Sequence, residues 1–571
     1  MTELKWWQKA VFYQIYPRSF ADGNGDGIGD LYGILNRLDY LKDMGIDALW
    51  LSPHYPSPLF DCGYDVADYT GVAPEYGTLE LFEEFLHEAH ARGMRVILDL
   101  VLNHTSHEHA WFRESRSSRD NPKRDWYIWR EGQAGGPPNN WYSPFGGSAW
   151  EYNPVTEQYY YHFFLKEQPD LNWRNPKVQE AVFNAARFWL DMGIDGFRLD
   201  AIDTIFEDAE LPDQRADYTP EELYRLTNRS MWDEKDPRIG EQWRKMYMYQ
   251  LRQPGIHELF QDLRTVIDEY SDRVLVGETG EVSYYGDGSN ELHLAFNFPL
   301  LRADYLTPDL IRANQRERLA ALPPGAWPCN TLGNHDTQRV YNHYGDGAHD
   351  DAIARLSLAL MLTLRGTPFL YNGEEIGMSD YLFTDLERFK DVPAFWTYKL
   401  HKDILGEAEE QARQSAAQQG RDKCRTPLQW DNAPHGGFCP ADVEPWLPVN
   451  PNYAEGVNVA EQDVAPGSLL NFYRRMLRMR QETPALIAGN YVPLHEEAED
   501  YLAFLRETEE QTCLVVLNYS DRAHTLSFDL GEGRAARLIF SSRERPCVEE
   551  SPSEIIVAPF EVYVAEVASA S

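Results

Sequence analysis

Three carboxylates, Asp200, Glu278 and Asp336, each stand at the end of a short apolar run that reads as a β-strand. Gathered on one rim, three acids can divide the work of breaking a glycosidic bond. One ionised carboxylate attacks the anomeric carbon, a protonated one donates to the leaving oxygen, and the third contributes electrostatically. Arg198 precedes Asp200 by two residues, so on a strand both side chains point to the same side, and the guanidinium is expected to keep Asp200 ionised. Crowding by the other acids is expected to raise the pKa of Glu278 and suit it to the acid role. The competing reading, a set of structural ion pairs, needs more bases than the sequence places beside these acids.

A second acidic feature is the run Asp22-Gly-Asn24-Gly-Asp26-Gly-Ile28-Gly-Asp30, with oxygen-bearing side chains at alternate positions and glycines between them. This is hard-cation chemistry, with Asp22, Asn24, Asp26, the Ile28 carbonyl and Asp30 as ligands. The twelfth position from Asp22 is Gly33 instead of a bidentate Glu, which argues against a calcium switch. The expectation is one fixed structural Ca²⁺, with Mg²⁺ as the alternative and an empty Gly/Asp turn as the plain reading.

These residues need a frame. Short apolar runs recur at Val11–Tyr16, Ala48–Ser52, Val96–Leu102, Gly196–Leu199, Val274–Gly277, Leu294–Phe298, Asn330–Gly333 and Phe369–Tyr371. Helical spacing separates several of them, as in Leu79, Phe82, Phe85, Leu86 and Ala89, or Val178, Val182, Ala185 and Trp189. Strand and helix in alternation predict a parallel sheet, and eight units predict an α/β fold, a (β/α)8 TIM barrel over residues 1–103 and 176–481. Such barrels carry their chemistry where strands end, and Asn103-His104, Asp200, Glu278 and Asn334-His335-Asp336 all fall there. Residues 104–175, aromatic and rich in Pro and Gly without helical period, are too long for a loop and read as a subdomain inserted after the third strand. From 482 to 571 short alternating strands predict an antiparallel β-sandwich domain packed closely on the barrel.

The 571 residues carry 53 Lys and Arg against 91 Asp and Glu, a net charge of −38 that repels phosphate backbones and anionic lipid. No nucleic-acid or membrane partner is expected. The apolar stretch 352–371 is interrupted by Arg355 and Arg365 and reads as a buried helix and strand. No secretory pattern opens the sequence, and the cysteines at 62, 329, 424, 439, 513 and 547 form no close pairs, which fits a cytoplasmic protein, monomeric or homodimeric.

The strings Asp99-Leu-Val-Leu-Asn103-His104, Gly196-Phe-Arg198-Leu-Asp200, Val276-Gly277-Glu278 and Asn334-His335-Asp336 resemble the four ordered motifs of the α-amylase superfamily of glycoside hydrolases. Three further strings, Gln168-Pro-Asp-Leu-Asn172-Trp173, Asp61-Cys-Gly-Tyr64-Asp65 and Arg421-Asp-Lys-Cys-Arg425-Thr-Pro-Leu-Gln-Trp430, resemble its α-glucosidase and oligo-1,6-glucosidase branch. The resemblance implies that Asp200 is the nucleophile of a covalent β-glucosyl intermediate, Glu278 the general acid/base and Asp336 the residue gripping the distorted sugar. It implies that His104 and His335 bind that sugar, that Arg198 pairs with the nucleophile, and that Tyr64 and Phe164 wall the pocket. Asp65 and Arg421 resemble a pair closing the pocket behind the non-reducing glucose. A pocket so closed admits only a chain end, which implies an exo-acting retaining α-glucosidase working on small α-glucosides.

Cys62 and Cys424 stand where the family more often has other small residues, and Thr337-Gln338-Arg339 makes the acceptor side individual. Ala201 resembles the residue of α-1,4-acting enzymes, with α-1,6 bonds, sucrose and trehalose left open. The same intermediate also serves transglucosylases, sucrose isomerases and trehalose synthases. A catalytically dead sugar-binding or partner subunit would be marked by loss of a carboxylate, and all three are present.

Overall fold

The structure is a computed structural model that describes residues 3–227, 236–545 and 549–569. Cys547 lies outside the described residues; the other five cysteines are buried and free.

The barrel strands are β1 (Phe12–Ile15), β2 (Ala48–Leu51), β3 (Arg95–Val101), β7 (Gly196–Asp200), β8 (Val274–Gly277), β9 (Leu294–Ala295), β10 (Cys329–Thr331) and β11 (Thr367–Tyr371). Between β3 and β7 the chain forms β4 (Trp129–Arg130), β5 (Trp150–Asn153) and β6 (Gln158–Tyr161). The eight barrel strands run in the order β10-β11-β1-β2-β3-β7-β8-β9, all parallel where paired. At the seam between β9 and β10, side chains join the strands. Asn297 Nδ2 donates to Asn330 Oδ1 (3.2 Å), and Tyr285 takes the Ala295 amide (3.0 Å) while its hydroxyl donates to the Trp327 carbonyl (2.9 Å).

The strand alternation sorts side chains into two sets. Phe12, Ala48, Trp50, Ile97, Val274, Val276, Leu294, Phe296 and Phe369 fill the barrel interior, while Tyr13, Leu49, Leu51, Val96, Leu98, Phe197 and Leu199 face the surrounding helices. Following the inward set toward the strand ends, Ile97 is succeeded by Asp99, and Val274 and Val276 by Glu278. The apolar core therefore gives way to acids at the C-terminal rim. β7 enters this ring at Gly196, whose φ is 153° and where a Cβ would lie 2.1 Å from the Val274 carbonyl. Only glycine lets β7 close on β8 there.

The helices start where the sequence caps them. Thr78 Oγ1 accepts the Leu81 amide at the head of Leu79–Ala91, and Asn175 with Pro176 opens Pro176–Met192, which stops at Gly193 in the left-handed region. Residues 352–371 form all but the first two residues of helix Asp350–Thr363 and then β11. Among the described residues no helix is long and apolar enough to cross a membrane.

The inserted segment folds as a small antiparallel sheet in the order β4-β6-β5 and is tied to the rim by the Leu171 amide on Asn103 O (2.9 Å) and Trp173 Nε1 on Leu102 O (2.7 Å). The C-terminal strands are β12 (Asn490–Leu494), β13 (Tyr501–Glu507), β14 (Thr512–Asn518), β15 (His524–Leu526), β16 (Arg534–Ser541), β17 (Glu549–Glu550), β18 (Ile555–Val557) and β19 (Val562–Ser569). They build a six-stranded antiparallel sheet, β12-β13-β14-β19-β16-β17, backed by the pair β15-β18. One face of the large sheet packs on that pair through Leu514, Val516, Ile555, Val557 and Tyr563; the other puts Phe504, Val515 and Val564 into the core shared with the barrel helices. The sandwich is thus unequal, one layer being two short strands.

Candidate active site

At the rim, one guanidinium organises the acids. Arg198, wholly buried at the end of β7, places Nη1 2.9 Å from Asp99 Oδ1 and 2.6 Å from Asp200 Oδ1, and Nη2 2.7 Å from Glu278 Oε2. Tyr64 Oη donates to the other oxygen of Asp99 (3.0 Å). Asp200 and Glu278 thus lie at the two ends of one planar fork. Ala201 has left-handed dihedrals (φ 46°, ψ 41°), a conformation that disfavours a branched side chain, and its N–H donates to Glu278 Oε2 (2.8 Å). The strained residue after the nucleophile candidate therefore aims the acid candidate.

Burial dominates the titration of both. It pushes Asp200 up to about 7 against the pull of Arg198, and Glu278 up to about 8, with the charges of Asp200 and Asp336 adding to the rise. The sequence-based expectation that Arg198 holds Asp200 firmly ionised is corrected here: the guanidinium is shared among three acids, and desolvation outweighs each one's portion. The ordering survives, with Asp200 the first of the two to ionise. Asp99 is also raised by burial, to about 6.

Asp336 goes the other way. Burial alone would raise it, but His335, Arg421, Arg425 and Arg198 together hold it well below the usual carboxylate range. Arg425 Nη2 is 2.5 Å and Arg421 Nη1 3.1 Å from its Oδ1, and His335 Nε2 is 3.1 Å from Oδ2. Gln14 Nε2 donates to His335 Nδ1 (2.7 Å), which leaves the ring proton on Nε2 facing Asp336. Desolvation lowers His335 far below its ordinary value and His104 to about 4, so both rings are neutral hydrogen-bonding groups. Solvent reaches 9% of the Asp200 side chain, 20% of Glu278 and 28% of Asp336, so the acid and the third carboxylate line the mouth and Asp200 lies deeper.

Tyr64 stacks on His335 with ring centroids 5.2 Å apart and planes within 4°. Phe164 meets His104 edge-on at 5.3 Å and is followed by Phe145 at 5.5 Å. The structure thus brings together Asp200, Glu278, Asp336, Tyr64, His104, Phe164, Arg198, His335 and Arg421.

It does not bring Asp65 with them. Asp65 is wholly buried and accepts from Ser57 Oγ (2.8 Å) and the amides of Phe60 (2.9 Å) and Asp61 (3.0 Å), so it braces its own loop. The partner of Arg421 is Asp61, 2.7 Å from Nη2, whose other oxygen accepts from Gln168 Nε2 (3.0 Å). The chain reverses between the two acids through positive φ at Cys62 (50°) and Gly63 (114°). Asp61→Asn is expected to lower kcat/KM on a small α-glucoside at least tenfold, about 1.4 kcal/mol, at unchanged melting temperature. Asp65→Asn is expected instead to cost roughly 1–3 kcal/mol of stability, read by thermal melting.

Sequence reasoning also passed over Asp99, Gln168 and Arg425, all inside motifs that it noted, and Gln14, Phe145 and Asp391, which no motif marked. The Asp22–Asp30 loop lies beside the rim and closes on itself. Asp22 accepts the amides of Gly25 (2.6 Å) and Gly27 (2.8 Å), Asn24 that of Asp26 (2.9 Å), Asp26 that of Ile28 (2.9 Å), and Asp30 those of Gly23, Asn24 and Gly33. Asp30 Oδ1 takes two of these amides, while the Asp22, Asn24 and Asp26 oxygens and Asp30 Oδ2 take one each and keep a lone pair, so the donor chemistry of those suits a hard cation. Among the described residues, however, no three His, Cys, Asp or Glu stand close enough to hold a metal on their own.

A (β/α)8 barrel whose C-terminal rim holds two carboxylates bridged by an arginine, with a third fixed beside them, defines a glycoside hydrolase. The chain belongs to the α-amylase family: residues 14–489 match the model for the alpha amylase catalytic domain, and 491–564 that for the maltogenic amylase C-terminal domain. It is similar to an oligo-1,6-glucosidase of Halalkalibacterium halodurans (40% identity, 91% of each chain) and to a probable alpha-glucosidase of Rhizobium meliloti (41%, 91% of this chain and 90% of that one). Among solved structures, it resembles the trehalulose synthase MutB from Pseudomonas mesoacidophila MX-45 (TM-score 0.88, 37% identity, 99% of this chain and all of that one). It also resembles an isomaltulose synthase of Erwinia rhapontici NX5 solved with sucrose (TM-score 0.87, 35% identity, 99% and 100%).

Proposed function

We propose that this protein is an exo-acting retaining α-glucosidase that releases glucose from the non-reducing end of short α-glucosides. The observation that carries the reading is the Asp61–Arg421 pair, held 3.1 Å from Asp336 on the same rim as Asp200 and Glu278. In the first step an Asp200 oxygen bonds to the anomeric carbon as the glycosidic bond breaks, and the Glu278 proton goes to the departing oxygen. In the second, Glu278 takes a proton from water, the water oxygen bonds to the anomeric carbon, and Asp200 leaves as a carboxylate. Asp336, kept charged by its cations, stabilises the positive charge that develops on the sugar in the transition state of each step. The uncharged substrate also reconciles a binding pocket with a net charge of −38.

The chemistry needs Asp200 ionised and Glu278 protonated. With these groups at about 7 and about 8, kcat/KM is expected to follow a narrow bell. Activity is lost below the lower limb as Asp200 takes a proton and above the upper limb as Glu278 loses one. The two titrate as a pair through Arg198, so the limbs belong to the couple. Initial rates of p-nitrophenol release from its α-glucoside between pH 5 and 10 check this, and a flat profile over that range opposes the assignment.

A second reading, transfer of the glucosyl group to another sugar as in sucrose isomerisation, is supported by the likeness to trehalulose and isomaltulose synthases. Product analysis with maltose and with sucrose decides: free glucose supports hydrolysis, and disaccharide isomers without glucose support transfer. For linkage, Ala201 favours α-1,4 bonds, while the name of the Halalkalibacterium relative favours α-1,6; paired rates on maltose and isomaltose rank them. A structural Ca²⁺ or Mg²⁺ on Asp22, Asn24, Asp26, the Ile28 carbonyl and Asp30 would cross-link the loop after β1. Chelation by EDTA is then expected to lower the melting temperature by several degrees, with Ca²⁺ restoring it, whereas an unchanged melt supports the self-closed turn. The buried free thiols at 62, 329, 424, 439 and 513 favour a cytoplasmic setting.

A further inference from the structure

Arg421 is drawn on from three sides. Asp61 and Asp336 face the pocket, and behind the guanidinium stands Asp391, whose side chain is fully buried. Asp391 Oδ1 accepts from Arg421 Nε (2.9 Å) and Nη2 (2.7 Å), and Oδ2 from the Arg421 backbone amide (2.8 Å). Asp391 occupies the N-cap position of helix Val392–Lys399, where an Asp ordinarily accepts an amide of its own first turn. Its side chain makes no such bond. The clasp is reciprocal: the amides of Lys390 (2.8 Å) and Asp391 (3.1 Å) donate to Asp422 Oδ2, so the segments around 391 and 421 hold each other.

The geometry points to Asp391 as a positioning residue, the tether that draws the Arg421 guanidinium back so that a terminal glucose fits between Arg421 and the pair Asp200 and Glu278. With Asp391 neutral, the cation is left with Asp61 and Asp336, already 2.7 and 3.1 Å away, and an arginine freed at its rear pivots on those two contacts. The guanidinium then moves into the space of the sugar's far end, and recognition of the chain end is lost. This rests on the α-glucosidase reading, and turnover of p-nitrophenyl α-glucoside by the wild type checks that reading separately.

The test is a double-mutant cycle of Asp391→Asn and Arg421→Ala on that substrate, with melting curves for each protein. Asp391→Asn is expected to raise KM about tenfold, the equivalent of one strong interaction, with kcat changed less than about threefold. In the Arg421→Ala background the same substitution is expected to change kcat/KM less than about twofold, because it acts through a side chain no longer there. If Arg421→Ala turns over too slowly, glucose binding by calorimetry supplies the same cycle. An unchanged KM in Asp391→Asn, or an equal loss in both backgrounds, overturns the proposal. If Asp391→Asn does not fold, Asp391→Glu, which keeps the charge but moves it by one methylene, is measured instead. It is expected to raise KM in the wild-type background alone, and a wild-type KM in that variant overturns the proposal too.

Discussion

Asp200→Asn is expected to lower turnover of p-nitrophenyl α-glucoside by about 10⁴-fold or more, an increase of roughly 5.5 kcal/mol in the barrier. The amide keeps the shape of the carboxyl but has no charge with which to attack, and a good leaving group does not help, because the missing event is bond formation to carbon. Comparable rates in variant and wild type would remove Asp200 from its role. Stability is expected to move the other way. Burial raises the folded-state pKa of Asp200 to about 7, above the value of an exposed aspartate. The folded state then holds the proton more tightly than the unfolded one, and stability drains away as the pH climbs from the unfolded value through the folded one. Asn carries no such penalty, so at pH 8 the inactive protein should melt no lower than the wild type. Loss of activity with retained or raised melting temperature distinguishes a missing nucleophile from a damaged fold.

The features legible in the sequence were those that a short-range period encodes. Alternation along β7 put Arg198 and Asp200 on one side of the strand, and apolar runs located the eight strands to within a few residues, with Glu278 at the end of β8. β9 is the shortest of them, Leu294–Ala295, because Phe298, expected to end that strand, starts a helical turn instead. What the sequence left hidden depends on which way a side chain turns once the loops are folded. Asp61 and Asp65 stand four residues apart in one motif, and the backbone reversal at Cys62 and Gly63 sends one to Arg421 and the other into its own loop. Asp391 reads as an ordinary helix cap, and its partner lies 30 residues further along the chain. The titration of Asp200 was misjudged because a neighbouring cation is visible in a sequence while the removal of water is not.

Glu278→Ala supplies the complementary loss, and it is expected to depend on the substrate where that of Asp200→Asn does not. Maltose, whose leaving oxygen needs a proton, should be turned over at least about 10³-fold more slowly, within the range that positioned proton transfers contribute. p-Nitrophenolate leaves without one, so Asp200 can still form the glucosyl ester, and the ester should then accumulate because no base remains to activate water. A burst of p-nitrophenol followed by a slow steady state is the expected trace. Azide needs no base, and the alanine leaves room for it where the Glu278 carboxyl stood, beside the solvent-reached mouth. There it attacks the anomeric carbon from the face opposite Asp200, the azide nitrogen bonding as the Asp200 oxygen departs, which yields the α-glucosyl azide. Restored turnover with the α product assigns Glu278 to acid/base work and Asp200 to the bond it displaces. The β-glucosyl azide would mean that azide had entered on the Asp200 side and that the two roles are reversed.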